Sequence, residues 1–341
     1  MSWSSRSLIT IQQKIEVVKV FALTRMYYVA SVLPMRAALV KKMESIIGKY
    51  LWAGSGVLRV ALEDLKNNKI NGGLNLPCIA TMNKSLMASQ CIRLLNSNDV
   101  KSVSHIEFWM GPLMASVCPW MNAAPLTNNI PEYFSQLGDI MASIMLSGTL
   151  STETVKTLTN RIIYRSFMSC TVPHIVNTNP GYDYLKVWRR LHELVPVENR
   201  EIMFKLLHNK LPVPERLHRI GVRNDPYCLS CPGQEISDIV HYLCTCTKVS
   251  RTWTWLRLKM RDMCWAVSRL PDWELLNLFL PVSCKSHEAQ FVWLISHYVA
   301  ICWDSLRSEK EVKSEEFFGF LTYKYKGSAV VSRAMNWLNL Q

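Results

Sequence analysis

One stretch of the chain is dense in side chains that can hold a metal ion: "CLSCPGQEISDIVHYLCTC", from Cys228 to Cys246. Cys228 and Cys231 have the C-x2-C spacing whose turn lets two thiolates converge on one tetrahedral ion. His241 and a later cysteine can complete the set. On an unbroken helix His241 and Cys244 share a face, whereas Cys246 is rotated by roughly 140° from His241 at 3.6 residues per turn. Ligation by Cys246 therefore requires the helix to end or unwind near Cys244, and the flanking Thr245 and Thr247 disfavour helix. The preferred ligands are Cys228, Cys231, His241 and Cys246, with Cys244 as the alternative fourth. Three thiolates and an imidazole leave no open position for water, so the expected Zn2+ is structural and not catalytic. Ser237 is the expected N-cap of a short helix, "DIVHYL", that holds His241.

The rest of the cysteine usage bears on this reading. The chain has 341 residues and 11 cysteines, an odd number scattered over its length, which fits a disulfide framework poorly. Its start, "MSWSSRSLITIQQKIEVV", lacks the apolar core and cleavage site of a secretory signal, so a reducing compartment and mostly free or metal-bound thiols are expected. Hydrophobic residues make up 49% and charged residues 19%, which excludes a disordered chain as a whole. The most apolar stretch, "FVWLISHYVAICWDSL", is interrupted by Ser296, His297 and Asp304 and is too short to span a membrane; it reads as a buried helix.

The formal charge of +13 is concentrated in two regions. The first runs to about residue 95 and includes Lys41, Lys42, Lys49, Lys66 and Lys69; the second surrounds the cysteines and includes Arg216, Arg219, Arg223, Lys248, Arg251 and Arg257. Two basic regions separated by a near-neutral one point to two surfaces that face a polyanion.

The elements that must position these residues are helices, so the expected fold is mainly α. In "IQQKIEVVKVFALTRMYYVASVL" the apolar positions Ile15, Val18, Phe21 or Ala22, Met26 and Val29 recur at helical spacing, and Pro34 ends the run. A second helix follows with Leu39, Met43, Ile46, Ile47 and Tyr50 or Leu51 on one side. "NNKINGGLNLP" breaks the pattern, since paired glycines accept backbone that other residues resist. Residues 98 to 183 are punctuated by proline and read as a helical connector. Three helices then approach the cysteines, one of them with Asn199 placed as a cap.

At this point the residues resemble a known family. Leu211-Pro212-Val213, Arg216-Leu217, Gly221, Cys228, Cys231, Glu235, Asp238, His241, Cys246 and Trp253 follow the pattern of the zinc-binding domain beyond the reverse transcriptase of non-LTR (LINE-type) retrotransposons. The resemblance favours Cys246 as the fourth ligand. "WSSRSLITIQQKIEVVKVFALTRMYYVASVLP", Tyr50 to Trp52 and "GGLNLP" are similar to the thumb region after the catalytic palm of the same elements. The resemblance implies a thumb-like helical region at 1–97, a connector at 98–183, a zinc-binding domain at 184–265 and a C-terminal helical segment at 266–341.

No Asp-Asp pair and no Tyr-x-Asp-Asp motif is present to hold the two metal ions of polymerisation. The chain is thus expected to begin beyond the palm and not to polymerise alone. Pro271-Asp272 lacks the acidic-x-Lys partner of a restriction-like nuclease and reads as a turn. The expected function is binding of RNA or DNA without base reading, with Lys41, Lys42, Lys49, Arg216, Arg219, Arg223, Lys248 and Arg251 on phosphates. Tyr227 and Tyr242 are candidates for base stacking or for covering the zinc core. A palm supplied by the parent polyprotein is the expected protein partner, and nuclear or nucleocytoplasmic localisation follows from the resemblance. The alternatives are a helical protein-interaction scaffold and a decayed element fragment.

Overall fold

The computed structural model describes residues 10–52, 59–114, 129–146, 158–169, 183–233 and 235–307, together with Val312, Lys313, Glu315, Phe317 and Gly319. Most of "EEFFGFLTYKYKG", the first residues of the thumb-like motif and parts of the connector lie outside them. The fold is mainly α, as expected. The β pairing among the described residues is one isolated antiparallel bridge, Tyr227 to Ile236. The chain divides into two compact units: Met1–Gly54, Leu62–Asn67 and Leu74–His174 form the first, and Ser55–Ala61, Asn68–Gly73 and Ile175–Gln341 the second. The four segments expected from the sequence are thus distributed over two units.

The first unit opens with α1 (Ile11–Val17), a π-helical segment (Val18–Leu23) and α2 (Thr24–Ala30). Thr10 and Gln13 close a capping box at its start, with Thr10 N–H donating to Gln13 Oε1 at 2.8 Å. The sequence expectation of a continuous α-helical stripe needs correction here. Ile15 and Val18 are buried, but the stripe then passes to Leu23 and Ala30 while Phe21 and Val29 are half exposed. An i→i+5 segment adds one residue to the turn, so every later position moves round the helix. On α3 (Ala37–Trp52) the expected Ile47 and Leu51 are buried, with Val40 and Trp52 beside them, whereas the expected Leu39 and Ile46 are exposed. Asn83 fixes the turn before it, its Nδ2 donating to Ala30 O (2.7 Å) and Leu33 O (2.9 Å) and its Oδ1 accepting from Met35 N–H (2.9 Å).

After α4 (Leu62–Lys66), helices α5 (Ile79–Leu95), α6 (Val100–Met114), α7 (Glu132–Leu146) and α8 (Asn160–Ser169) share one core of Met87, Cys91, Met110, Leu137, Met141 and Ile163. Pro112, expected as a break, lies inside the last turn of α6. Lys66 is buried in a pair with Glu44 (2.7 Å) and Glu63 (2.8 Å), which removes it from the surface basic set.

The second unit contains the 3-10 turn Lys69–Asn71, α9 (Tyr184–Glu193), α10 (Val197–Leu207), α11 (Pro214–Arg219), α12 (Ser250–Met263), α13 (Asp272–Leu276) and α14 (Glu288–Arg307). The apolar stretch expected as a buried helix is α14, with Phe291, Leu294, Ile295, Tyr298 and Cys302 fully buried. Each large apolar side chain buried there stabilises the fold by roughly 1.5–3 kcal/mol before entropy is counted. Among the described residues, no helix is long and apolar enough to cross a membrane. Asn199 is not a cap: α10 starts at Val197, and the Asn199 amide instead meets His297 Nδ1 at 2.9 Å. Most described cysteines are free, as expected, but Cys264 and Cys284 form a disulfide that no local spacing announces, their separation being 20 residues.

The glycine break has a specific purpose. Gly72 sits at φ +82, where its carbonyl accepts from His208 Nε2 at 2.8 Å and the Trp188 indole packs against its α-carbon. A Cβ at Gly72 would lie 2.6 Å from the indole. Gly72→Ala therefore combines left-handed backbone strain with overpacking and is expected to destabilise the protein by roughly 2–4 kcal/mol, read as a lower urea midpoint. An unchanged midpoint would show that Trp188 moves aside freely.

Candidate metal centre

The local fold of the cysteine stretch follows from a few backbone bonds. Cys228 N–H donates to Glu235 O and Ser237 N–H to Pro226 O, both at 2.9 Å, so the chain doubles back around the C-x2-C turn. The short helix that follows is capped by Asp238, not by Ser237: Asp238 Oδ1 accepts from His241 N–H at 2.6 Å, while the Ser237 hydroxyl is buried without a partner among the described residues. From His241 to Thr245 the helix widens to a π turn, closed by Cys246 N–H on His241 O at 2.8 Å. Cys246 then leaves the helix at φ −56, ψ 138. The unwinding that ligation by Cys246 requires is present.

Cys228, Cys231, His241 and Cys246 consequently converge, their donor atoms all within 4.8 Å of one another. Cys246 Sγ is 3.8 Å from Cys228 Sγ and 3.9 Å from Cys231 Sγ, and His241 Nε2 is 3.5 Å from Cys231 Sγ. A tetrahedron with Zn–S bonds of about 2.3 Å and a Zn–N bond of about 2.0 Å has S···S edges of about 3.8 Å and S···N edges of about 3.5 Å. The donor set fits that ion in both chemistry and size. Cys244 is not among the converging donors: it is buried, and burial, with Asp272 and Cys302 nearby, holds its thiol far above the usual range.

Supporting groups orient the donors. His241 Nδ1 lies 2.9 Å from Glu235 Oε2 and 3.2 Å from the Thr245 hydroxyl, which fixes the ring with Nε2 toward the sulfurs. Thr247 N–H donates to Cys231 Sγ at 3.5 Å and Ser230 N–H to Cys228 Sγ at 3.4 Å. Burial opposes the Cys231 thiolate, yet the Thr247 N–H and hydroxyl bring its pKa below the usual thiol value. Burial and the adjacent sulfurs push Cys246 up to about 12, a repulsion that a divalent cation would cancel. In the sequence the two threonines signal only a disfavoured helix; their contacts to the ligands depend on the π turn.

The turn is locked to the rest of its unit. Tyr298 on α14 donates its hydroxyl to Leu243 O at 2.6 Å, and Trp253 on α12 donates its indole N–H to Asp272 at 2.9 Å. Asp272 also pairs with Arg257, so Pro271-Asp272 forms a structural corner. Of the basic residues, Lys41, Lys42 and Lys49 lie on α3 and are exposed, and Arg219 and Arg251 are exposed near the cysteines. Arg223 pairs with Asp225 at 3.1 Å, Lys248 is half-buried, and Arg216 is 7% exposed, which withdraws its guanidinium from the surface. Tyr227 is 40% exposed, whereas Tyr242 is half-buried beside Trp303, with ring centroids 6.2 Å apart.

Fold and site together define a small helical module closed around a tetrahedral ligand set of three sulfurs and one nitrogen. Residues 177–253 match the family model described as zinc-binding in reverse transcriptase, which relates the chain to reverse transcriptases. No curated protein matches it.

Proposed function

We propose that the chain is the non-catalytic, nucleic-acid-binding C-terminal part of a non-LTR retrotransposon reverse transcriptase. The observation that carries this reading is the closed Cys228-Cys231-His241-Cys246 cluster inside the segment that matches the reverse-transcriptase zinc-binding family. Zn2+ there holds the C-x2-C turn to the π turn and supplies folding energy, with no step of catalysis assigned to it. Lys41, Lys42 and Lys49 on the thumb-like helices, and Arg219, Arg223, Lys248 and Arg251 around the zinc, neutralise phosphates of RNA or DNA. The polymerase palm is the protein partner in this reading, and the work is done at chromosomal DNA, hence in the nucleus.

Binding to an RNA–DNA duplex, followed by fluorescence anisotropy between about 50 and 200 mM salt, tests the proposal. The logarithm of the association constant is expected to fall linearly with the logarithm of salt concentration, and a Lys41→Ala, Lys42→Ala, Lys49→Ala variant to flatten the slope by roughly 2–3. Salt-insensitive binding, or none, would favour a protein-interaction scaffold. That second reading has its own support: Val20, Phe21, Tyr28 and Leu33 are exposed apolar residues on or just after the first helices.

A further inference from the structure

The second unit contains a groove of about 420 Å³ that the metal centre does not use, walled by the 3-10 turn Lys69–Asn71 on one side and α9 on the other. Its lining is mostly apolar: Ile70, Leu185 and Trp188, with His192 beside them. Ile70 and Leu185 are 59% and 56% exposed, unusually open for aliphatic side chains that adjoin a concave surface. Both ring nitrogens of His192 are shielded from solvent and have no hydrogen-bond partner among the described residues. Burial, reinforced by Lys69 and Arg200, pushes its pKa down to about 4, so the ring is an uncharged aromatic wall at neutral pH.

The rim is different in character. Lys69, Lys186 and Arg189 stand around the apolar floor, against two acids, Asp183 and Glu193. Lys186 pairs with Asp183 at 2.9 Å, Arg189 meets Glu193 only at 3.9 Å, and Lys69 makes no ion pair with a described residue. The groove is also preformed, because Gly72, packed on Trp188 and bonded to His208, holds the 3-10 turn against α9. A flat apolar body with anionic attachments matches an apolar floor and a rim on which Arg189 is held only loosely by Glu193; a purely apolar peptide would make no use of Lys69.

We infer that this groove takes one unpaired nucleobase of a single strand, its face on Ile70, Leu185 and the Trp188–His192 wall and its flanking phosphates on Lys69 and Arg189. The inference rests on the nucleic-acid reading above and adds to it a base-dependent, sequence-tolerant contact. The test compares the full zinc-loaded chain with an Ile70→Ser, Leu185→Ser variant, whose exposed positions leave the core intact, a point checked by circular dichroism. Each binds a uridine tract and an abasic tract of equal length and charge.

The wild-type chain is expected to hold the uridine tract roughly tenfold more tightly, and the variant to lose that preference while binding the abasic tract as before. A wild-type chain that does not distinguish the tracts, or a variant that keeps the full preference, overturns the groove assignment and leaves phosphate binding standing. Failure of both tracts to bind at low salt overturns the nucleic-acid reading and this inference with it.

Discussion

Cys246→Ser is expected to abolish stoichiometric zinc binding, while Cys244→Ser retains one ion per chain. The difference follows from the π turn, which brings Cys246 Sγ to 3.8 Å and 3.9 Å from the other two sulfurs and points Cys244 into the core. A serine oxygen is a poor substitute for a thiolate at a soft, closed site, and structural zinc contributes an apparent free energy of roughly 10–16 kcal/mol in small zinc modules. Loss of the ion therefore releases the turn from Cys228 to Cys246, and with it the Tyr298 hydroxyl bond to Leu243 O. Cys244→Ser instead places a hydroxyl in an apolar pocket, at a cost of about 1–3 kcal/mol, without touching the ligands. Zinc content by mass spectrometry, with thermal melts before and after chelation, separates the two. Zinc kept by Cys246→Ser and lost by Cys244→Ser would reverse the ligand assignment.

The second large effect is expected at Arg190. Its guanidinium is 7% exposed and makes three bonds: Nε to Glu288 at 2.5 Å, Nη1 to Leu278 O at 2.7 Å and Nη2 to Leu280 O at 3.2 Å. Leu278 is held at φ +61, a conformation that a branched side chain resists. Arg190→Met strands the Glu288 carboxylate and two carbonyls, so a loss of roughly 3–5 kcal/mol is expected in urea unfolding. Adding Glu288→Met should recover part of that loss, because the uncompensated charge is then gone. Equal stability of the single and double variants would place the damage in the Leu278 turn and not in the ion pair.

Parts of the molecule are legible before any coordinates. The four ligands are readable because C-x2-C and H-x4-C are local spacings, and a π turn makes the second of them workable. The buried helix α14 is readable because its apolar run is too dense for a surface helix. The first helix departs from its apparent periodicity in its second half for an equally physical reason: one inserted residue between Val18 and Leu23 shifts the phase, and no propensity marks where such an insertion falls. Asn199 and Ser237 both have the chemistry of caps, but burial assigns the first to His297, leaving α10 without a side-chain cap, and the second gives way to Asp238.

By itself, then, the sequence determined a mainly helical chain, two basic regions and one candidate metal site with its fourth ligand open between Cys244 and Cys246, since periodicity, composition and short spacings are properties of neighbours along the chain. Only the tertiary structure decided which cations remain at the surface, with Arg216 and Lys66 drawn inside, and that Cys264 meets Cys284. It alone joined the Gly72 turn to α9 to make the groove. Those outcomes depend on contacts between residues 20 to as many as 136 positions apart, and no local pattern encodes them.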